Sequence, residues 1–378
     1  MTETLPTGAA SALGALVAAL VILELSKLLE GRASDALRDA ELYMDCHHHR
    51  SYVTRLARNP ECRFDHQTWG AEIVSDVPLD TLYAELEPHP VLSMAGARFA
   101  TTVPCPHCGN TCAIYSPHRA GDHTGPPCPH CAVPLAVPGA SLSDRLPLDS
   151  VPESERARTL SAWGMEPGDV FELDTPQAVS RYELAGPDGL AVGAPSPAGA
   201  TVILAGLGNI GSHVAPHLGR DASIARVVLI DPDHYEPHNL QGQDIEVSAI
   251  DQPKVTVQRE RLLRIAPHLD VIAIPRRLEA VPLGRYRNAI VIGALDSRLA
   301  RMQLNERAFR AGSPWIDTAV DGPGSLCRLC VYEPIRNNEP CADASCIECG
   351  WDDVDYRDAQ EATPCERQAE DRPAGAAK

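Results

Sequence analysis

Cysteine pairs and one glycine-rich turn carry most of the chemistry in this chain of 378 residues. Cys105-Pro-His-Cys108 and Cys128-Pro-His-Cys131 are two CxxC pairs separated by 19 residues rich in turn formers. Such knuckles hold four thiolates at the tips of two turns, the tetrahedral set that structural zinc prefers. With four cysteines present, His107, His118, His123, His130 and Cys112 are surplus as ligands. The second feature is Gly206-Leu207-Gly208-Asn209-Ile210-Gly211, which follows an apolar run at 202–204 and precedes a helix expected from Ser212. A further apolar run, 227–230, ends on Asp231. This is a strand, glycine turn, helix, strand unit. Its glycines let backbone approach a phosphate, and the helix N-terminus offers free N–H groups to the anion. A nucleotide site follows, although a GxGxxG turn with an acid about 20–25 residues later describes nicotinamide dehydrogenases equally well.

The residues after Asp231 separate the two readings. The segment Asp231-Pro-Asp233-His-Tyr-Glu-Pro-His-Asn239-Leu-Gln-Gly242-Gln243, then Lys254 at a helix start and Asp296-Ser-Arg298-Leu-Ala-Arg301 after a strand, resembles the ThiF/MoeB family of ubiquitin-activating-like adenylyltransferases. The resemblance implies that Gly206, Gly208, Gly211, Asp231, Asp233, Asn239, Gln243 and Lys254 bind ATP, and that Asp296 holds Mg2+. Gly242 stands where the family usually has Arg, which removes a cation from the phosphate site. Arg298 or Arg301, or a partner chain, is then expected to replace it, or activity is low. The resemblance further implies an acyl-adenylate formed on the C-terminal carboxylate of a small ubiquitin-like or sulfur-carrier protein, a homodimer, and a thioester- or persulfide-forming cysteine at Cys365. Cys346-Ile-Glu-Cys349 resembles the family's zinc knuckle.

The elements that position these groups run in an unusual order. Residues 8–30 read as an Ala/Leu-rich helix stopped by Gly31, and they resemble a helix that the family carries downstream of its glycine turn. Residues 55–65, Arg-Leu-Ala-Arg-Asn-Pro-Glu-Cys62-Arg-Phe-Asp, resemble the segment that closes the family's domain. A circularly permuted domain results, in which Cys62 and His66 join Cys346 and Cys349 at a second zinc site. Cys46 and the run His47 to His49 compete as ligands. Strands are expected at 271–274, 289–292, 315–318 and 325–332, and helices at 254–265 and 299–311. The strand at 325–332 turns Cys327 and Cys330 to opposite sides, so that CxxC pair is set aside as a metal site.

Composition narrows the class. A formal net charge of −18 argues against a nucleic-acid partner. The apolar run near the start is too short for a bilayer and continues into Glu24 and Lys27, so no membrane span is expected. Free cysteine pairs and the lack of a secretion signal indicate the cytoplasm. The expected architecture is α/β, a Rossmann-like, mostly parallel sheet with helices on both faces in permuted order, plus a small zinc-ribbon domain. Its parts are 1–66 as the displaced C-terminal half, 67–186 with the ribbon, a Gly/Pro-rich linker at 187–199, 200–365 as the ATP-binding half, and a disordered tail at 366–378. Two rival functions remain: an NAD-dependent oxidoreductase, which leaves Asn239, Gln243 and Lys254 unexplained, and a non-catalytic zinc-ribbon module whose nucleotide site has decayed.

Overall fold

The structure is a computed structural model that describes residues 10–360, apart from 85, 87, 123, 138–141, 322–324 and 337–338. Cys365 lies outside the described residues.

The chain forms two compact units. The first gathers the residues up to 67 with 198–275 and those from 290 onward. Its eight-stranded sheet runs, edge to edge, Asp270–Ile274, Ile224–Ile230, Ala200–Ala205, Ala289–Gly293, Trp315–Asp321, Leu326–Tyr332, Ala40–Asp45 and Arg50–Arg55. Ala200–Ala205 pairs in parallel with Ile224–Ile230, which pairs in parallel with Asp270–Ile274. Ala289–Gly293 and Trp315–Asp321 are also parallel, whereas every later pair is antiparallel. The central strands are apolar on both faces, as strands covered by helices on both sides must be. On one face, helices Ser11–Leu29, Asn209–Leu218 and Lys254–Ile265 bury Val17, Val21, Val214 and Leu262 against Val202, Leu229, Ile316 and Leu329. On the other, Arg298–Ala311 packs so tightly that a Cβ at Gly293 would stand 2.7 Å from Leu304.

Ser11–Leu29 is long and apolar enough to cross a membrane by length and composition. In the fold, Leu13, Val17, Ala18, Val21 and Leu25 form a buried stripe, the spacing of a helix with one face in a core. Gly31, at φ 70°, turns the chain out of it. Gly14 shows how close this packing is: a Cβ there would meet the Asn209 side chain at 2.1 Å. The opening helix therefore lies directly on the helix of the glycine turn. Ser11 Oγ also reaches His213 Nε2 at 3.1 Å.

Two features depart from the sequence expectation. The hairpin Ala40–Asp45/Arg50–Arg55 extends the sheet by two antiparallel strands. Residues 276–289 leave the first unit and belong to the second, so the stretch 200–365 is not one continuous piece.

The second unit comprises residues 68–197 and 276–289. Its sheet order is Glu72–Val74, Val179–Leu184, Val170–Asp174, Val91–Met94, Ala97–Pro104 and Thr111–Arg119. Phe99, Trp163, Phe171 and Leu173 fill its core. Gly164 and Gly168, at φ 96° and 89°, make the turns that lead into Val170–Asp174.

Candidate nucleotide site and thiolate clusters

The glycine turn leaves strand Ala200–Ala205 and enters helix Asn209–Leu218 with Gly208 as its N-cap. Gly206 has φ 88°, and a Cβ on it would lie 2.3 Å from Ala294 O. At Gly211 a Cβ would lie 2.0 Å from Gly206 O, so helix and turn touch backbone to backbone. Gly208 is different. A Cβ there would meet only Gln243 Nε2, at 3.9 Å, which leaves the N–H face of the turn open. That is the division of labour by which glycines serve a phosphate: two for close packing, one for approach.

Acidic and basic groups fix the turn from the next strand. Asp231 is buried and accepts hydrogen bonds from Leu207 N–H at 2.7 Å and Asp233 N–H at 2.9 Å. Burial pushes its carboxyl up, against the pull of Lys254. Lys254 Nζ stands 2.9 Å from Asp233 and 3.8 Å from Asp231. Burial disfavours its charge, but these two acids outweigh that and hold it above the usual range, with Asp296 adding to the effect. Lys254 is thus a charged lysine at the mouth of the turn. Gln243 sits over Gly208, and its Oε1 is buried without a partner. Its donor Nε2 faces the anion cradle, while the buried Oε1 is an acceptor that a ligand hydroxyl or N–H would satisfy.

Asn239 serves its own backbone, since its Oδ1 accepts from Glu236 N–H at 2.8 Å and closes the turn Pro237–Gln241. Only its amide nitrogen remains for a phosphate. Asp296 is exposed after strand Ala289–Gly293, near enough for its charge to act on Lys254 and Arg301. The two arginines expected to replace the missing cation are engaged elsewhere. Arg298 pairs with Asp355 at 3.0 Å and with Asp358. Arg301 is buried and bonded to Asp317 at 2.6 Å and to Leu295 O. Carboxylates that bind a guanidinium so closely leave it no fork for a phosphate.

Three supports were not singled out from sequence. Tyr235 Oη donates to Leu207 O and accepts from Gln258 Nε2, both fully buried. Asn209 Nδ2 donates to Gly242 O at 2.6 Å, tying the 239–243 segment to the glycine turn. The long-range pairing of Asp317 with Arg301 and Arg328 secures the Asp296 loop from below. Tyr235 and Asn209 lie inside quoted motifs, but nothing local to either residue marks its partner.

Two clusters of metal-ligating groups are present among the described residues. In the first unit, Cys62, His66, Cys346 and Cys349 bring their ligand atoms within 4.8 Å of one another. Cys62 and Cys346 Sγ are 3.8 Å apart, as are Cys346 and Cys349, and His66 Nε2 is 3.2 Å from Cys349. His66 Nδ1 faces Phe64 O at 2.8 Å, which holds Nε2 free for a metal. The contacts of Cys349 with Cys346 and His66 lower its thiol to about 3, whereas burial and the adjoining sulfurs push Cys346 up. Three thiols and an imidazole so placed fit tetrahedral zinc. Around them, Arg310 grips Asp65, Arg63 pairs with Asp353 and covers the Tyr356 ring, and Phe309 packs edge-on to Phe64 and His66.

In the second unit, Cys105, Cys108, Cys128 and Cys131 form the other cluster. Cys105 and Cys131 are 3.6 Å apart and Cys108 and Cys128 3.8 Å. The knuckles close through Gly109 N–H to Cys105 O and Ala132 N–H to Cys128 O. Gly109 and Ala132 both take positive φ there. Cys112 stands beside this cluster, 3.6 Å from Cys128.

Comparison with known proteins gives a consistent picture. The ThiF family model matches residues 198–368. The molybdopterin-synthase adenylyltransferase of Salmonella typhimurium is 31% identical over 145 residues, which are 38% of this chain and 57% of that protein. The sulfur carrier protein ThiS adenylyltransferase of Escherichia coli is 29% identical over 40% of this chain and 58% of its own length. The tRNA threonylcarbamoyladenosine dehydratase of Bacillus subtilis is 35% identical over 25% of this chain and 36% of its own length. The chain thus spans less than three fifths of the curated relatives it matches.

Proposed function

Taking as premise that residues 198–368 are a ThiF-family domain, we propose that this protein adenylylates the C-terminal carboxylate of a small ubiquitin-like or sulfur-carrier protein. ATP is the nucleotide substrate. One observation carries the reading: the open N–H face at Gly208 converges with charged Lys254 and the Gln243 amide, whose donor Nε2 lies over Gly208. A hydride-transfer site has no use for a lysine and an amide aimed at the same anion cradle.

The carrier carboxylate attacks the α-phosphorus of ATP, and pyrophosphate leaves. The protein's task is to fix the triphosphate and offset its charge, which needs positioned cations and N–H donors rather than a strong base. Lys254 exchanges its contact with exposed Asp233 for phosphate oxygens. Asn239 Nδ2 and Gln243 orient the triphosphate. Asp296 is the carboxylate to hold Mg2+, which when bound neutralises phosphate charge. With Arg298 and Arg301 held by carboxylates, the cation absent at Gly242 comes from a second copy of the chain in a homodimer. The Cys365 thiolate then attacks the acyl-adenylate carbonyl, forming a thioester and releasing AMP. Zinc in the Cys62/His66/Cys346/Cys349 and Cys105/Cys108/Cys128/Cys131 clusters is structural. The names of the relatives support a small carrier partner and, with the free thiols among the described residues, a cytoplasmic setting.

ATP-pyrophosphate exchange with a Gly-terminated carrier tests this reading. Exchange should require Mg2+ and fall at least 100-fold in Lys254→Ala and Asp296→Ala, while Cys365→Ala keeps it. Nicotinamide binding without ATP binding would refute it.

A further inference from the structure

Outside the two four-ligand clusters, a further pair of sulfurs stands at a metal's spacing. Cys46 follows strand Ala40–Asp45, and its N–H donates to Ser325 O at 3.0 Å. In the antiparallel register Met44 faces Cys327 and Asp45 faces Leu326. Cys46 is therefore the diagonal neighbour of Cys327 on the same face of the sheet. Their sulfurs are 3.8 Å apart. Cys327 is turned away from Cys330, so it takes no part in a local CxxC site.

That separation is too long for a bonded disulfide and is compatible with a thiol–thiol contact or with a shared ion. A disulfide needs Cα atoms about 4.4–6.8 Å apart, and diagonal cross-strand neighbours have Cα atoms about 7–8 Å apart. Two thiolates on one tetrahedral ion at about 2.3 Å stand about 3.8 Å from each other. Cys62 and Cys346 show the same 3.8 Å, as do Cys108 and Cys128.

Nitrogen ligands adjoin the pair. The turn that Cys46 opens continues His47-His48-His49, all exposed, before strand Arg50–Arg55. His48 Nδ1 lies 2.8 Å from Asp45 Oδ2, and Asp45 also accepts the His48 N–H at 2.9 Å. An imidazole anchored through Nδ1 to a carboxylate presents Nε2, the arrangement that metal-ligating histidines commonly use.

We propose that Cys46 and Cys327, completed by imidazoles of the His47-His48-His49 turn, form a third site for a zinc-class d10 cation. Among the described residues no imidazole nitrogen lies within 4.8 Å of both sulfurs, so binding draws the turn inward over them and releases the two thiol protons. An ion there clips the edge hairpin to strand Leu326–Tyr332. Two thiolates and imidazole favour zinc over the oxygen-seeking magnesium or calcium.

The test is zinc stoichiometry of the full-length reduced protein, loaded with zinc, freed of excess by gel filtration and read by elemental analysis. Cys46→Ser and the triple variant His47→Ala/His48→Ala/His49→Ala should each hold one equivalent less than the parent. The other two thiolate clusters are unaltered and provide the constant background. The triple variant changes only exposed turn residues, so its thermal melt shows whether the fold is intact. Retention of the extra equivalent in either variant, or a Cys46–Cys327 disulfide in protein isolated anaerobically, overturns the assignment.

Discussion

Gly211→Ala should separate the shape of the nucleotide cradle from the stability of the fold. The new methyl would stand 2.0 Å from Gly206 O and 2.9 Å from its carbonyl carbon. Both are backbone atoms, so no side chain can swing aside. Restoring an ordinary contact of about 3.3 Å requires helix Asn209–Leu218 to retreat by about 1.3 Å from the turn. Overpacking of that kind costs about 1–3 kcal/mol of stability. The ligand loses more. A phosphate bonded at about 2.9 Å to N–H groups of the helix start would then be about 4 Å away, beyond hydrogen-bond reach. Two charge-assisted bonds at about 1.5–3 kcal/mol each amount to about 3–6 kcal/mol, or about 10²–10⁴-fold in the ATP dissociation constant. Gly208→Ala is the control: its methyl has room in the free protein but occupies the approach to the turn. It should melt within a few degrees of the parent and still bind ATP weakly. Calorimetric ATP titration and thermal melts read both. A folded Gly211→Ala protein that binds ATP within threefold of the parent would refute the reasoning.

Asp317→Ala leaves the buried Arg301 and the Arg328 guanidinium without their shared carboxylate, and breaking a buried pair costs about 3–5 kcal/mol. A loss under about 1 kcal/mol in urea unfolding of the first unit would contradict that account. In the second unit, burial pushes Asp169 up to about 6 despite the Arg119 guanidinium beside it. Because the folded value lies above the unfolded one, the contribution of Asp169 to stability is fully present below about pH 4 and is lost as pH rises through 6. The span is about 3 kcal/mol. Asp169→Asn should flatten that part of the melting-temperature profile between pH 4 and 7, and an unchanged slope would show that another group titrates there.

How much was legible from sequence depended on whether a residue's partner was local. The apolar runs at 202–204 and 227–230 fall inside observed strands Ala200–Ala205 and Ile224–Ile230, because strands covered on both faces read as unbroken apolar stretches. The helix expected at 254–265 is Lys254–Ile265. The hairpin Ala40–Asp45/Arg50–Arg55 gave no such signal. Its outer strand is exposed along its whole length, and its turn is Cys-His-His-His with no Gly, Asn or Pro to announce it. The excursion at 276–289 was equally hidden, since a segment's allegiance to another unit is decided by tertiary contacts. Within the site, Asp231 was read as a nucleotide ligand and in the structure binds the Leu207 and Asp233 N–H groups, while the glycine turn was readable because its role is a backbone role. Arg298 and Arg301 were not, since a sequence shows an arginine near a phosphate motif but cannot show Asp355 and Asp317 occupying it first.

The order of the chain gives the Cys62/His66/Cys346/Cys349 cluster a consequence that its four ligands alone do not reveal. Cys62 and His66 stand near one end of the described chain and Cys346 and Cys349 near the other, with the whole second unit in between. In a domain whose helix Ser11–Leu29 and edge hairpin are encoded before the strands they cover, no short connection holds them in place. Their docking must overcome the closure of a loop of roughly 280 residues, an entropic cost that rises with the logarithm of length. Buried contacts on the sheet supply part of it, through Val17, Val21 and Leu25. The ion pairs Arg63–Asp353 and Asp65–Arg310 supply little, because pairs with a solvent-exposed partner are worth about 0–1 kcal/mol. A tetrahedral ion held by ligands from both ends would act instead as a crosslink whose binding energy is folding energy. On the proposed permuted order, such an ion would offset the closure cost of elements encoded ahead of the strands they pair with, which is a role distinct from any at the glycine turn.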